Sequence, residues 1–339
     1  MRVPLASFVT LLTLSLSVLS SSGDRAEKYI SCVELCKFNN CANWQGSLAL
    51  RLTRWTCADD CKYGCMHLIT DEAVKNGERI QQYHGKWPFW RLFGMQEPAS
   101  VAFSLLNLYF HARGIREVKR RLPNDHPMRS YYIGFVLVSI NAWVWSSVFH
   151  TRDLPATEKL DYFSAAAAIL YALYYTVIRI FHLYPLDRVR LVTTHSSNSD
   201  PSGVRTLWKF ACLILFLGHV SYLTLLPRFD YTYNMAFNLI IGMTHNLLWL
   251  LYSLPSSVPI VHRFPSRART YRPSYAYKAA VFVALTTAAT ALELFDFPPW
   301  AGVIDAHALW HLSTAPIAAF WYDFIIEDAL DEGWRGQKM

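Results

Sequence analysis

Residues 130–183, "SYYIGFVLVSINAWVWSSVFHTRDLPATEKLDYFSAAAAILYALYYTVIRIFHL", hold two apolar runs on either side of a short polar link. Each run is close to the roughly 20 residues that a membrane-spanning helix needs. They read as spans at 130–151 and 161–183. Runs of similar length recur near 97–114, 207–226, 233–254, 276–296 and 300–325, which makes seven spans in all. The whole chain is 53% hydrophobic, 15% aromatic and only 17% charged. The expected fold is an all-α membrane protein: a seven-transmembrane helix bundle at 97–326. A luminal disulfide-rich helical domain at 24–96 precedes it, and a cytosolic tail at 327–339 follows.

The N-terminus reads as a targeting segment, not as structure. Arg2, the apolar run "LASFVTLLTLSLSVL" and the small residues "SSSG" have the composition of a signal peptide cleaved near residue 23. Six of the seven cysteines then follow: Cys32, Cys36, Cys41, Cys57, Cys61 and Cys65. An even number in a short secreted segment reads as a disulfide framework. Cys32 and Cys36 lie one helical turn apart, as do Cys57, Cys61 and Cys65, so each set occupies one helix face. Two antiparallel helices stapled by nested bridges, Cys32–Cys65, Cys36–Cys61 and Cys41–Cys57, fit this spacing best. Six cysteines allow about 15 pairings, and a zinc cluster is the competing reading. Cys212, alone in a span, reads as an apolar core thiol.

Charge sets the orientation. The links after the first, third and fifth spans are basic: Arg113 to Arg129, then Arg188, Arg190 and Arg205, then Arg263 to Arg272. The alternate links are short and hold few cations, so the basic ones belong on the cytosolic side. That agrees with a luminal N-terminus after signal cleavage. The net charge of +7 therefore belongs to cytosolic loops, and no nucleic-acid partner is expected.

Polar groups inside spans are costly and mark functional sites. Ser146 and His150 lie four residues apart in the second span, Asp161 opens the third, and His307 and His311 lie four apart in the seventh. With span seven starting after Pro299, His307 lies about 12 Å and His311 about 18 Å into the membrane from the luminal side. All five groups fall in the luminal half. Histidines at i and i+4 point at one metal, and His150 supplies a third ligand, the open arrangement of catalytic Zn2+. Such a metal makes water a nucleophile near neutral pH. Ala308 stands where a His-Glu-x-x-His motif has its glutamate, so Asp161 is the expected general base. Ser146 is placed to hydrogen-bond the attacking water or the oxyanion.

Blander readings attach to the neighbours. His219 and His245 read as packed core histidines, Ser147 as a helix-packing residue, and Glu293 and Asp296 as interface or structural carboxylates. Asp305 reads equally as a cap or as a group orienting a ligand histidine. A membrane serine protease lacks its glycine-rich setting here, and a haem needs ligands from opposite faces. A proton-coupled transporter lacks an inverted repeat.

The S-x3-H, Asp and H-x3-H set on seven spans resembles the CREST superfamily of membrane hydrolases. The six-cysteine segment, "HGKWPFWRLFGMQEPASVAFSLLN" and "FDFPPWAGVIDAHALWHLSTAP" narrow the likeness to the Per-like family of post-GPI-attachment phospholipases. The resemblance implies removal of the sn-2 acyl chain from the phosphatidylinositol of GPI-anchored proteins, a membrane-lipid substrate. It assigns zinc to His150, His307 and His311, with Asp161 and Ser146 assisting. Endoplasmic reticulum residence is expected, with the Golgi as alternative because "WRGQKM" lacks a dilysine signal. A ceramidase-like amidase and a non-catalytic zinc-containing receptor or folding factor are the other functions weighed.

Overall fold

A computed structural model describes residues 21–185 and 202–337. The expected signal peptide lies almost wholly outside these residues, as do Arg188 and Arg190. The described residues are helical, with isolated β-bridges and no strand. They divide into two compact units, Met1–Pro98 with Phe297–Asp305, and Ala99–Asp296 with Ala306–Met339.

The first unit contains α1 (Glu27–Asn40), a short α2 (Leu48–Leu52) and α3 (Cys57–Lys75). Thr56 starts α3 with a reciprocal cap: its Oγ1 accepts from Asp59 N–H at 3.2 Å, and the Asp59 carboxylate accepts from Thr56 N–H at 3.2 Å. Cysteines one turn apart on α1 and α3 pair in nested order as Cys32–Cys65, Cys36–Cys61 and Cys41–Cys57. The bridges replace a core too small to hold the unit by itself, built on Tyr29, Val33 and Tyr83. Each closes a loop of 16 to 33 residues and contributes about 3 kcal/mol by restricting the unfolded chain. Cys41, Cys57 and Cys61 lie close enough for a metal, but all three sulfurs are already in bridges.

Three tight turns complete this unit, bridged at Tyr83 and Lys86, Leu92 and Met95, and Trp300 and Ile304. Each has two successive left-handed residues ending in glycine: His84–Gly85, Phe93–Gly94 and Ala301–Gly302. Such primed turns need positive φ twice, which glycine alone adopts freely. Trp90 donates its backbone N–H to the Gly302 carbonyl at 2.8 Å, tying the 297–305 segment to the N-terminal chain. His67 stacks on Trp90 at 3.9 Å and its Nε2 bonds the Phe89 carbonyl at 3.0 Å. Burial pushes its pKa down, so it is a neutral donor in the packing.

The second unit is the bundle: α4 (Pro98–Arg121), α5 (Arg129–Thr151), α6 (Pro155–Ile180), α7 (Ser202–Leu225), α8 (Tyr231–Ser253), α9 (Tyr277–Leu294) and α10 (Ala306–Ala329). Five of these, α5 to α9, are long and apolar enough to cross a membrane. The chain is a multi-pass membrane protein. Helix α4 is less apolar, with a partly polar buried face and a charged C-terminal end. On α4, Ser100, Ser104, Asn107 and His111 are buried at helical spacing.

The boundaries differ from expectation where local chemistry intervenes. Helix α4 continues through the charged "REVKRR" to Arg121, since Arg, Glu and Lys are good helix formers, and stops just before Leu122–Pro123. Helix α6 starts at Pro155, where Leu154 N–H donates to Thr157 Oγ1 at 2.9 Å, so Asp161 lies in its second turn. Helix α10 starts at Ala306, not at 300, because the Ala301–Gly302 turn is incompatible with a helix. The depths of about 12 and 18 Å expected from Pro299 are therefore corrected: His307 is the second residue of α10, and His311 lies about 6 Å further along it.

Aromatic residues fill the bundle. Trp249, Trp321 and Phe324 meet edge-on or tilted at 5.0 to 5.3 Å. Their polar edges are satisfied: Trp321 Nε1 donates to Tyr175 Oη at 2.7 Å, and Trp249 Nε1 to Thr176 Oγ1 at 2.9 Å. Arg179 and Asp328, both fully buried, form a two-bond ion pair at 2.7 and 2.8 Å. The chain beyond α10 is packed too, as Trp334 is buried and donates Nε1 to the Asp328 carbonyl at 2.8 Å. His219 stacks on Phe237 at 3.9 Å, and His245 packs edge-on against Phe282 and Trp321.

Candidate metal centre

The last turn of α5 and the first turns of α10 bring three imidazoles together. His307 Nε2 lies 3.3 Å from His150 Nε2 and 2.9 Å from His311 Nε2. The ligand atoms of the three residues all lie within 4.8 Å of one another. The i,i+4 spacing on α10 stacks His307 and His311 on one helix face, and α5 delivers His150 opposite them.

Two of the three outer ring nitrogens have partners. His307 Nδ1 faces the Glu293 carboxylate at 2.8 and 3.0 Å, near the C-terminal end of α9. An acceptor-only partner requires Nδ1–H, which leaves Nε2 as a bare lone pair. His311 Nδ1 faces Ser104 Oγ at 3.3 Å, and Ser104 Oγ lies 3.0 Å from Ser146 Oγ. The Ser104 hydroxyl, able to donate or accept, links His311 Nδ1 to Ser146; with the proton on Nδ1, the His311 Nε2 lone pair faces His307.

Imidazole nitrogens at such distances are held together either by a shared proton or by a cation between them. Tetrahedral Zn2+ with metal–nitrogen bonds of about 2.0–2.1 Å sets its ligand nitrogens about 3.3 Å apart. The observed 2.9 and 3.3 Å are near that edge length. The donor set is three converging imidazoles, two of them with ordered partners at Nδ1, so the residues present fit zinc.

The surroundings hold the geometry. Asn107 Nδ2 donates to the His311 carbonyl at 2.7 Å, and Thr314 Oγ1 donates to it at 2.9 Å. These bonds anchor the turn just ahead of Pro316, which cannot donate to the carbonyl four residues back. Trp143 meets the His311 ring edge-on at 5.3 Å, and Trp310 lies over His307 at 5.6 Å. His150 and His311 are buried, whereas the His307 side chain is 34% exposed. The cluster thus opens on the His307 side.

A profile of the Per1-like family matches residues 47–329. The chain belongs to that family. It is 40% identical to "Protein PER1 homolog" of Schizosaccharomyces pombe, over 94% of this chain and 90% of that one. It is 38% identical to "GPI-specific phospholipase A2-like PGAP3" of Xenopus laevis, over 92% of each, and 35% identical to the Homo sapiens protein of that name, over 91% and 90%.

Of the five residues singled out in the sequence, the structure brings His150, His307 and His311 into one cluster and puts Ser146 next to it through Ser104. Asp161 is not a member of the converging group; it lies half-buried on α6. Three further contributors emerge only from the structure. Ser104 and Asn107 carry a signal in the sequence, the buried polar stripe at helical spacing in an otherwise apolar run. Glu293, which reads in the sequence as an interface or structural carboxylate, is the partner of His307. The short α9–α10 link puts the two at the same end of the bundle, and that link is the clue. Glu293→Gln should weaken zinc binding about 10- to 100-fold by loosening the His307 tautomer. Competition with a chelator of known affinity measures this, and an unchanged affinity would count against the assignment.

Proposed function

We propose that this chain hydrolyses the sn-2 acyl ester of the phosphatidylinositol in GPI anchors, in the endoplasmic reticulum membrane. The observation that carries the reading is the convergence of three histidine Nε2 atoms with Ser146 beside them. The names printed for its relatives, "GPI-specific phospholipase A2-like" among them, support the substrate class. His150, His307 and His311 would hold zinc. Bound there, zinc supplies Lewis acidity to an ester carbonyl and makes water a nucleophile near neutral pH.

The remaining roles fall to the chain. The lipid reaches the cluster from the open His307 side. Asp161 lies about 9 Å along α6 from its start, and Ser146 about 8 Å back from the end of α5, so both stand at comparable depth from the three-residue link between these helices. A carboxylate oxygen of Asp161 takes the proton of the attacking water. The Ser146 hydroxyl, oriented by Ser104, donates to the oxygen that becomes negative in the tetrahedral transition state. Collapse breaks the acyl C–O bond as Asp161 returns its proton to the departing sn-2 oxygen, and the products are a free fatty acid and a lyso-anchor bearing the sn-2 hydroxyl. Burial of His150, and of His311 against Trp143 and Trp310, keeps bulk water from competing for these hydrogen bonds.

The test is the anchor lipid itself. In cells lacking their own activity, this chain should restore anchors without the original sn-2 chain, whereas His307→Ala and Asp161→Ala should leave that chain in place. Normal remodelling by both variants would contradict the reading. Release of fatty acid from ceramide instead would favour an amidase.

A further inference from the structure

Helix α2 and the turn beside it carry four unburied apolar side chains: Leu48 at 70% exposure, Leu52 at 74%, Leu92 at 49% and Phe93 at 78%. They form one group because the Phe93–Gly94 turn is locked onto α2. Trp55 Nε1 donates to the Gly94 carbonyl at 2.8 Å. A Cβ built on Gly94 would stand 2.4 Å from Thr53 Oγ1 and 2.9 Å from the Ala49 carbonyl oxygen, so only glycine permits this approach. Phe93 has φ 50°, a left-handed conformation that a bulky residue adopts only when the surroundings impose it. The neighbouring turn has the same backbone with a polar residue, His84, at the corresponding position. The fold therefore holds an aromatic ring outward where a polar residue would be the ordinary choice.

Chain connectivity says what meets it. Met95 closes the turn, and Pro98, three residues on, begins α4. Three extended residues span at most about 10 Å, so only that length of chain separates the turn from the first residue of α4. Trp90, three residues before Phe93, is hydrogen-bonded to Gly302 in the link between α9 and α10. Arg51 and Arg54 are exposed on either side of Leu52, and long basic side chains beside an apolar group suit phospholipid headgroups. Aromatic residues favour the same interfacial zone.

We propose that α2 and the Phe93–Gly94 turn form a foot that inserts Leu48, Leu52, Leu92 and Phe93 into the phospholipid interface. The foot is a lipid contact of the N-terminal unit additional to the membrane-crossing helices.

Nitroxide labels on the full chain in phosphatidylcholine vesicles test this, in a Cys212→Ser background with single Phe93→Cys or His84→Cys changes. Phe93→Cys should be more accessible to oxygen than to a water-soluble nickel chelate, and His84→Cys should show the reverse. A chelate-dominated signal at Phe93→Cys overturns the proposal. Exclusion of both reagents also overturns it, because protein and not lipid would then cover the tip. If Phe93→Cys fails to fold, Leu52→Cys decides between the same outcomes by the same criterion.

Discussion

On the proposed function, replacing His311 by alanine should lower hydrolysis of the anchor ester by roughly 10³-fold or more while leaving the helical content intact. Its Nε2 faces His307 at 2.9 Å, and its ring is buried and edge-on to Trp143. Two imidazoles are too few for the three-ligand arrangement of catalytic zinc. The several kcal/mol that the proposed metal would contribute to the transition state would then be lost, and each 1.36 kcal/mol is about tenfold in rate. The vacated space lies next to Ser104 and Trp310, so the local packing suffers as well. Far-ultraviolet circular dichroism separates the two effects: unaltered helix content with lost turnover assigns the loss to the site. A variant that retained turnover within about threefold of the parent chain would remove His311 from the chemistry.

Breaking the buried ion pair is the second large effect. Arg179 donates Nε and Nη2 to the Asp328 carboxylate at 2.7 and 2.8 Å, Nη1 to the Arg263 carbonyl at 2.8 Å, and Tyr252 Oη donates to Asp328 at 2.6 Å. These groups join the ends of α6, α8 and α10 in one network. Removing only the carboxylate strands a guanidinium with no access to solvent, which costs about 3–5 kcal/mol. Asp328→Ala should therefore lower the melting temperature in detergent by roughly 10 °C. The double change Arg179→Met with Asp328→Leu should recover much of that loss, because an apolar pair of similar volume leaves no charge unpaired. Equal melting temperatures for the single and double variants would contradict the account of this network.

Much of this is legible in the sequence because it follows from periodicity and cost. Runs of about 20 apolar residues mark the long helices, and cysteines one turn apart mark nested pairs. Polar residues in apolar runs pick out His150, His307, His311 and Ser146. What is not legible depends on which residues meet once the helices pack. Ser104 and Glu293 matter because α4 and α9 bring them to the Nδ1 atoms of His311 and His307. No spacing within α4 or α9 states that. The start of α10 differs from its expected place by six residues because "PPWAGVIDA" is apolar enough to read as a span. Its backbone is set by a turn with two positive φ values, which a hydropathy pattern does not register. The buried partnership of Arg179 with Asp328, 149 residues apart, is hidden for the same reason: two charges at helix ends look like ordinary interfacial residues until the helices are packed.

The central claim is that three histidines hold a catalytic metal, and elemental analysis of the purified chain tests it most directly. The account predicts about one zinc per chain, lost in His150→Ala and in His311→Ala, and retained in His245→Ala. A parent chain that releases fatty acid from GPI anchors with no stoichiometric metal, or a His150→Ala variant that keeps its zinc, would contradict it.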